Sequence, residues 1–160
     1  MKTNLIHVSM LAVIAAAGAC AQQNESSTEK ARQSASASAL EGVWDVSVTV
    51  VDCQSGALIR NVTSVQMFTH DGAMMETTNT GTRGPSLGAW FHAYGQTYGA
   101  AYWFYRYNSD GSFASRATAN NTITLSPDGS QFTVTATIRD FDANNNLIST
   151  GCVSQTAKKM

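Results

Sequence analysis

The chain has 160 residues, 13% of them charged, and a formal net charge of −1. Between Leu40 and Ala157 it contains no lysine, and five arginines stand against nine carboxylates, a balance of −4. That balance argues against nucleic acid as a partner, because phosphate neutralisation needs clustered cations.

The N-terminus reads first as a targeting segment. A single cation, Lys2, precedes an apolar run from Leu5 to Ala19 broken only by His7 and Ser9, too short for a membrane-spanning helix but suited to the apolar core of a signal peptide. It ends in Ala17-Gly18-Ala19-Cys20, which is similar to a bacterial lipobox. That likeness implies cleavage before Cys20, a lipid on its thiol and a place in the bacterial cell envelope, at the outer membrane or periplasm. Ordinary cleavage using Ala19 and Ala21 would instead release a soluble protein beginning at Gln22. Residues 22–39 are Gln, Asn, Glu, Ser, Thr and Ala with two cations and no aromatic, too polar to order themselves, so residues 20–39 read as a flexible linker anchored by lipid at Cys20.

One domain is expected over residues 40–157, a span long enough to close a hydrophobic core. Its periodicity is two, the signature of half-buried strands. Trp44, Val46, Val48 and Val50 alternate with polar residues over Gly42 to Asp52; Asn61 to Thr69 and Ala73 to Thr80 follow, joined at Asp71-Gly72. Gly81 to Gly88 reads as a longer loop. Strands are then expected at Ala89 to Ala93, Tyr98 to Tyr107, Phe113 to Leu125, Phe132 to Phe141 and Leu147 to Ser154, with turns at Asp110-Gly111, Pro127-Asp128-Gly129 and Asn144 to Asn146. Eight hairpin-linked strands predict an all-β, eight-stranded antiparallel up-and-down barrel, since closure removes exposed edges. Such a barrel is wide enough to be filled by side chains or to hold one small ligand. Three cysteines in an exported chain leave an odd one. If Cys20 carries lipid, Cys53 and Cys152 remain to form a disulfide near the ends of the first and last strands; two buried thiols are the alternative.

Gly42-Val43-Trp44 resembles the Gly-x-Trp opening of lipocalins and other calycins. With it come Cys53-Gln54-Ser55-Gly56, Met67 to Gly72, Glu76, Gly88-Ala89-Trp90, Tyr98, Asp110 to Phe113, Leu125 to Gly129 and Gly151-Cys152. That series is similar, over nearly the whole domain, to a group of small exported bacterial calycin-like barrel proteins without established activity. The resemblance implies the calycin fold. Where that group commonly has Arg-Ser-Pro-Gly-His-Gly-x-Trp, this chain runs from Arg83 to Trp90 with Leu87 in the histidine's place, so chemistry resting on that histidine is not expected.

The densest feature is aromatic. Trp90, Phe91, Tyr94, Tyr98, Tyr102, Trp103, Phe104, Tyr105 and Tyr107 fall in one short segment, and alternation puts Tyr98, Tyr102 and Phe104 on one face and Trp103, Tyr105 and Tyr107 on the other. They line a ligand cavity or pack as core and outer pairs. Glu76, Arg83, Arg106 and Arg116 are the polar residues expected near a cavity mouth. Arg106 shares the face of Tyr102 and Phe104, and its expected carboxylate is Glu76. His70 and His92 lack recurrent ligand spacing, so no metal site is expected, nor any cofactor. Nucleophile elbows, phosphate loops and zinc helices are absent from the sequence. Asn61-x-Thr63 and Asn120-x-Thr122 match glycosylation acceptors, a pattern without that meaning in bacteria.

The leading expectation is therefore a monomeric, membrane-tethered, non-catalytic barrel that binds a small hydrophobic ligand through Trp90, Tyr98, Tyr102, Phe104, Arg106 and Glu76. A protease-inhibitor-like barrel working through residues 22–39, and a barrel cyclase or isomerase using Glu76 as its acid, are the alternatives.

Overall fold

The computed structural model describes residues 39–160. The expected signal segment, Cys20 and the expected linker up to residue 38 lie outside the described residues. Eight strands follow in chain order: β1 (Gly42–Val51), β2 (Leu58–Phe68), β3 (Ala73–Thr78), β4 (Ser86–Tyr94), β5 (Thr97–Tyr107), β6 (Phe113–Leu125), β7 (Gln131–Phe141) and β8 (Leu147–Lys159). Each pairs antiparallel with the next, and β1 pairs with β8, so the sheet closes into an up-and-down barrel with no free edge. This is the fold that the alternation and the calycin resemblance predict.

Three strands run further than the residue pattern suggests. β2 begins at Leu58 rather than Asn61, because Leu58 and Arg60 pair with Val51 and Val50 of β1. β4 begins at Ser86 rather than Ala89, because Ser86, Leu87 and Gly88 pair with Glu76, Met75 and Met74 of β3. β8 continues to Lys159, since Gln155, Thr156, Ala157 and Lys158 pair on both sides, with β1 and with β7. The ladder partners, not local propensity, set these ends, and the domain accordingly extends past Ala157.

Side chains alternate strictly about the wall, and the interior is layered. At the end where β1 begins, Trp44, Phe68, Phe132, Trp90 and Tyr98 close the barrel with tilted and edge-on ring contacts at centroid separations of 4.7 to 6.0 Å, geometry that aromatic quadrupoles favour. Leu40 seals this end from below. Its carbonyl accepts a hydrogen bond from Trp44 Nε1 at 2.9 Å, and both residues are fully buried. The Trp90 indole N–H is likewise satisfied, by the Thr69 carbonyl at 3.0 Å. Gly88 is needed where it stands: a Cβ there would lie 2.1 Å from the Ala101 carbonyl oxygen and 2.4 Å from Tyr102 Cβ.

The Asp-Gly pairs form turns of one kind. Gly72, Gly111 and Gly129 have φ of 86°, 83° and 70°, and each donates its N–H to the carbonyl three residues earlier, Thr69, Asn108 and Ser126. Only the glycine takes positive φ, so this is a turn ending in a glycine bulge. At the β7–β8 turn Asn145, with φ of 63°, occupies the glycine's seat.

The turn aspartates tie these loops to acid. The Ser126 hydroxyl, then the Ser130 hydroxyl and N–H, hold the Asp128 carboxyl down to about 2 from an ordinary 3.8. Asp52, Asp71, Asp110 and Asp142 are lowered too, led by the Ser55 N–H, the Thr69 hydroxyl, the Ser112 hydroxyl and the Asn146 amide respectively. A carboxylate whose pKa is depressed by folding contributes stability that is complete above its unfolded value and is lost as pH falls through the folded one. Urea midpoints are therefore expected to hold down to about pH 4 and to fall toward pH 2. Asp128→Asn should flatten the acid limb, and an unchanged limb would show that this turn carries none of it.

Candidate ligand site

The other end of the barrel, where β1 finishes and β8 begins, is open. Here a cavity of about 250 Å³ enters between the strands. Val48, Val50, Val62, Ile138 and Val153, from β1, β2, β7 and β8, form an aliphatic wall. Tyr102, Phe104 and Arg106 from β5 and Arg83 from the β3–β4 loop line the facing side. The Cys53–Cys152 disulfide, with Cα atoms 5.1 Å apart, clasps the β1–β2 loop to β8 at this end.

The cavity floor is a polar network that belongs to the wall. Glu76 is buried, 3% exposed, and accepts from Gln66 Nε2 at 3.1 Å and from Ser86 Oγ at 2.9 Å. Arg83 Nη2 donates to Glu76 Oε2 and, at 2.7 Å, to Ser86 Oγ. Gln66 donates also to Gln155 Oε1 at 3.0 Å, linking β2 to β8 across the interior. Nearer the mouth Arg106 Nε donates to Asp140 Oδ1 at 2.6 Å, and the Ser115 and Ser149 hydroxyls donate to Oδ1 and Oδ2 at 3.2 and 2.9 Å. Both guanidiniums lie over Phe104, Arg83 Cζ 3.7 Å and Arg106 Cζ 5.0 Å from its centroid, close enough for cation–π attraction. Burial, and secondly the negative charge of Glu76, push the Tyr102 hydroxyl well above the usual phenol range; at neutral pH it is an uncharged hydrogen-bonding group.

Of the six residues expected to contact a ligand, the structure brings Glu76, Tyr102, Phe104 and Arg106 together around this cavity. Trp90 and Tyr98 lie instead in the aromatic cluster of the closed end. The expected pairing of Arg106 with Glu76 is corrected: Arg106 binds Asp140 and Arg83 binds Glu76. The reason is position around the wall. Arg83 and Arg106 are bridge partners at one level, but Arg83 comes from the loop that joins Glu76's own strand to Ser86, whereas Arg106, near the end of β5, lies level with Ser115 of β6, which shares Asp140 with it. Arg116 faces outward, with Cζ 5.5 Å from the Phe141 ring and Nη2 donating to Asn145. Leu87, in the position of the group's histidine, is on the outer face and 47% exposed; any side chain there points away from the cavity.

His70 stands in an exposed turn with Nδ1 2.9 Å from Glu41, and His92 Nε2 donates to the Gly95 carbonyl. Among the described residues no three histidine, cysteine or carboxylate side chains converge as a metal site would require.

No protein-family profile and no curated protein matches the chain. A solved structure described as EF1p2_mFAP2b bound to DFHBI is similar to it at a TM-score of 0.50 and 16% sequence identity, over 80% of this chain and 99% of that one. The likeness is one of fold: a closed eight-stranded antiparallel barrel of calycin and lipocalin-like plan.

Proposed function

We propose that the protein is an exported, membrane-tethered barrel that holds one small molecule at its open end and performs no chemistry on it. The observation that carries this reading is the cavity itself. One end of the barrel is filled by packed rings, while the other keeps about 250 Å³ of space beside an aliphatic wall and a few fixed polar groups, the composition of small-ligand sites. The similar barrel described as bound to DFHBI supports small-molecule binding at that coarse level. Export and tethering rest on the apolar leader and Cys20 of the sequence.

The cyclase or isomerase alternative needs an inward acid with a free edge. Glu76 is the acid it requires, and both its oxygens are already engaged by Gln66, Arg83 and Ser86. The inhibitor alternative places its working segment at residues 22–39, all but the last of which lie outside the described residues.

Native mass spectrometry of the full chain purified gently from its host is expected to show a substoichiometric or full adduct that solvent extraction removes. Cys20→Ser should move the protein from the membrane fraction to the soluble one. A chain that never carries an adduct and takes up no small molecule would overturn the binding reading; an unchanged membrane fraction for Cys20→Ser would overturn the tether.

A further inference from the structure

The hydrogen bonds around the cavity are unequally spent. The two carboxylates that line the cavity are largely occupied: Glu76 receives Gln66, Arg83 and Ser86, and Asp140 receives Arg106, Ser115 and Ser149. The donors are not. A guanidinium presents a fork of N–H groups, and Arg106 gives only Nε to the protein, leaving its terminal nitrogens over. Arg83 makes both of its hydrogen bonds from Nη2, leaving Nη1 over, while its Nε is buried without a partner. Arg60, on β2 at the rim, lines the same cavity and has no carboxylate within ion-pair distance among the described residues.

Charge points the same way as the donors. Three guanidiniums and two carboxylates line the space, an excess of one positive charge in a domain whose overall balance is negative. Arg83 and Arg106 are held in place from behind, by two carboxylates and the face of Phe104, so their remaining terminal N–H groups are pre-oriented for an oxyanion. Across from Arg83 and Arg106 the lining is chiefly aliphatic, Val48, Val50, Val62, Ile138 and Val153, with Ser149, Thr150 and Gln155 of β8 among them. A ligand satisfying both sides has an acidic head and an apolar body. Size restricts it further, because about 250 Å³ is below the roughly 300–1,000 Å³ of drug-sized sites.

We infer that the cavity takes a small organic anion: a carboxylate, or an oxyanion of like charge, carried on a single ring or short apolar chain. Its head sits among Arg83, Arg106 and Arg60, and its body lies against the valine and isoleucine wall. This rests on the binding reading above and narrows it, since a neutral hydrocarbon would leave the surplus donors and charge unanswered.

The test uses the full chain and three probes, phenylacetate, its neutral amide phenylacetamide, and indole, titrated by calorimetry with ligand-observed NMR as a check. Phenylacetate is expected to bind at least about tenfold more tightly than phenylacetamide, a preference that surplus guanidinium donors and an uncompensated charge would create. In Arg60→Gln, Arg106→Gln and the double variant that preference should shrink stepwise, to below about threefold in the double variant. Arg60 is exposed and makes no protein contact of this kind, so its variant reports on the ligand even where Arg106→Gln disturbs the fold. Equal affinity for acid and amide would overturn the anion assignment and leave the small-molecule site standing. Failure of all three probes to bind would overturn the anion assignment, and, together with the absence of any adduct in native mass spectrometry, the binding reading as well. A preference unmoved by Arg60→Gln and by a well-folded Arg106→Gln would place the anion elsewhere and overturn the assignment.

Discussion

Reduction of the Cys53–Cys152 bond is expected to lower the unfolding free energy by about 4 kcal/mol without changing the folded barrel. The two cysteines are 99 residues apart in sequence, so the bond closes almost the whole domain into one loop, and in the chain-entropy account such a constraint acts mainly on the unfolded chain. The folded state needs it less. Val51 and Cys152 are already register partners, and the β1–β8 ladder runs unbroken from there to Trp44 and Lys159. Urea denaturation of the oxidised chain, the chain under reductant and the Cys53→Ala, Cys152→Ala double variant would measure the effect. Identical midpoints for all three would show that the bond contributes nothing. A lost near-ultraviolet signal in the folded variant would show that it holds the native packing rather than the unfolded ensemble.

The wall of this barrel was far more legible in the sequence than its interior polar network, and the difference has a physical cause. Alternation of apolar and polar residues reports which face of a strand is buried, and it marks β1, β6 and β7 almost residue for residue. It fails where the buried residues are themselves polar. On β2 the apolar pair Val65 and Met67 shares the outward face, while Ser64 and Gln66 point inward beside Val62 and Phe68. Their burial becomes visible only when Glu76 and Gln155 arrive from other strands to satisfy Gln66. Asp140 had a usable signal: it continues the inward parity of Phe132, Val134, Ala136 and Ile138. Gln155 had none within its own segment, because the strand carrying it is held by β1 and β7 rather than by local propensity.

The Arg83 to Trp90 segment shows that the weight of a motif can fall on residues other than the one its resemblance singles out. Its resemblance draws attention to the residue now occupied by Leu87, yet alternation turns that position outward. The inward members are Ser86, Gly88 and Trp90. Ser86 joins Arg83 on Glu76, the absent Cβ of Gly88 lets Tyr102 lie against the strand, and Trp90 fills the closed end. The segment therefore builds both the cavity floor and the seal beneath it, which ties the shape of the site to the core of the fold.

The Glu76–Arg83 pair is where stability and site coincide, and a double-mutant cycle separates the two. Glu76→Gln keeps the size of the side chain but leaves the Arg83 guanidinium without its carboxylate in a mostly buried position. Removing one partner of such a pair costs about 3–5 kcal/mol, because the other charge stays desolvated and uncompensated. Arg83→Met strands Glu76 in the same way, at a comparable cost, since only Gln66 and Ser86 remain to it. Replacing both, Glu76→Gln with Arg83→Met, removes both charges at nearly constant volume, and its loss is expected to be far smaller than the sum of the single losses. Urea unfolding of the four chains measures the coupling; strictly additive losses would show that the pair is not a unit. The same double variant then isolates the site. It keeps a folded barrel and the cavity's charge balance but removes the Arg83 donors, so if those donors hold the anion its preference for phenylacetate over phenylacetamide should fall even where its stability has recovered. Stability restored together with an undiminished preference would assign the anion to Arg106 and Arg60 alone, and would leave Arg83 as a strut beneath the site.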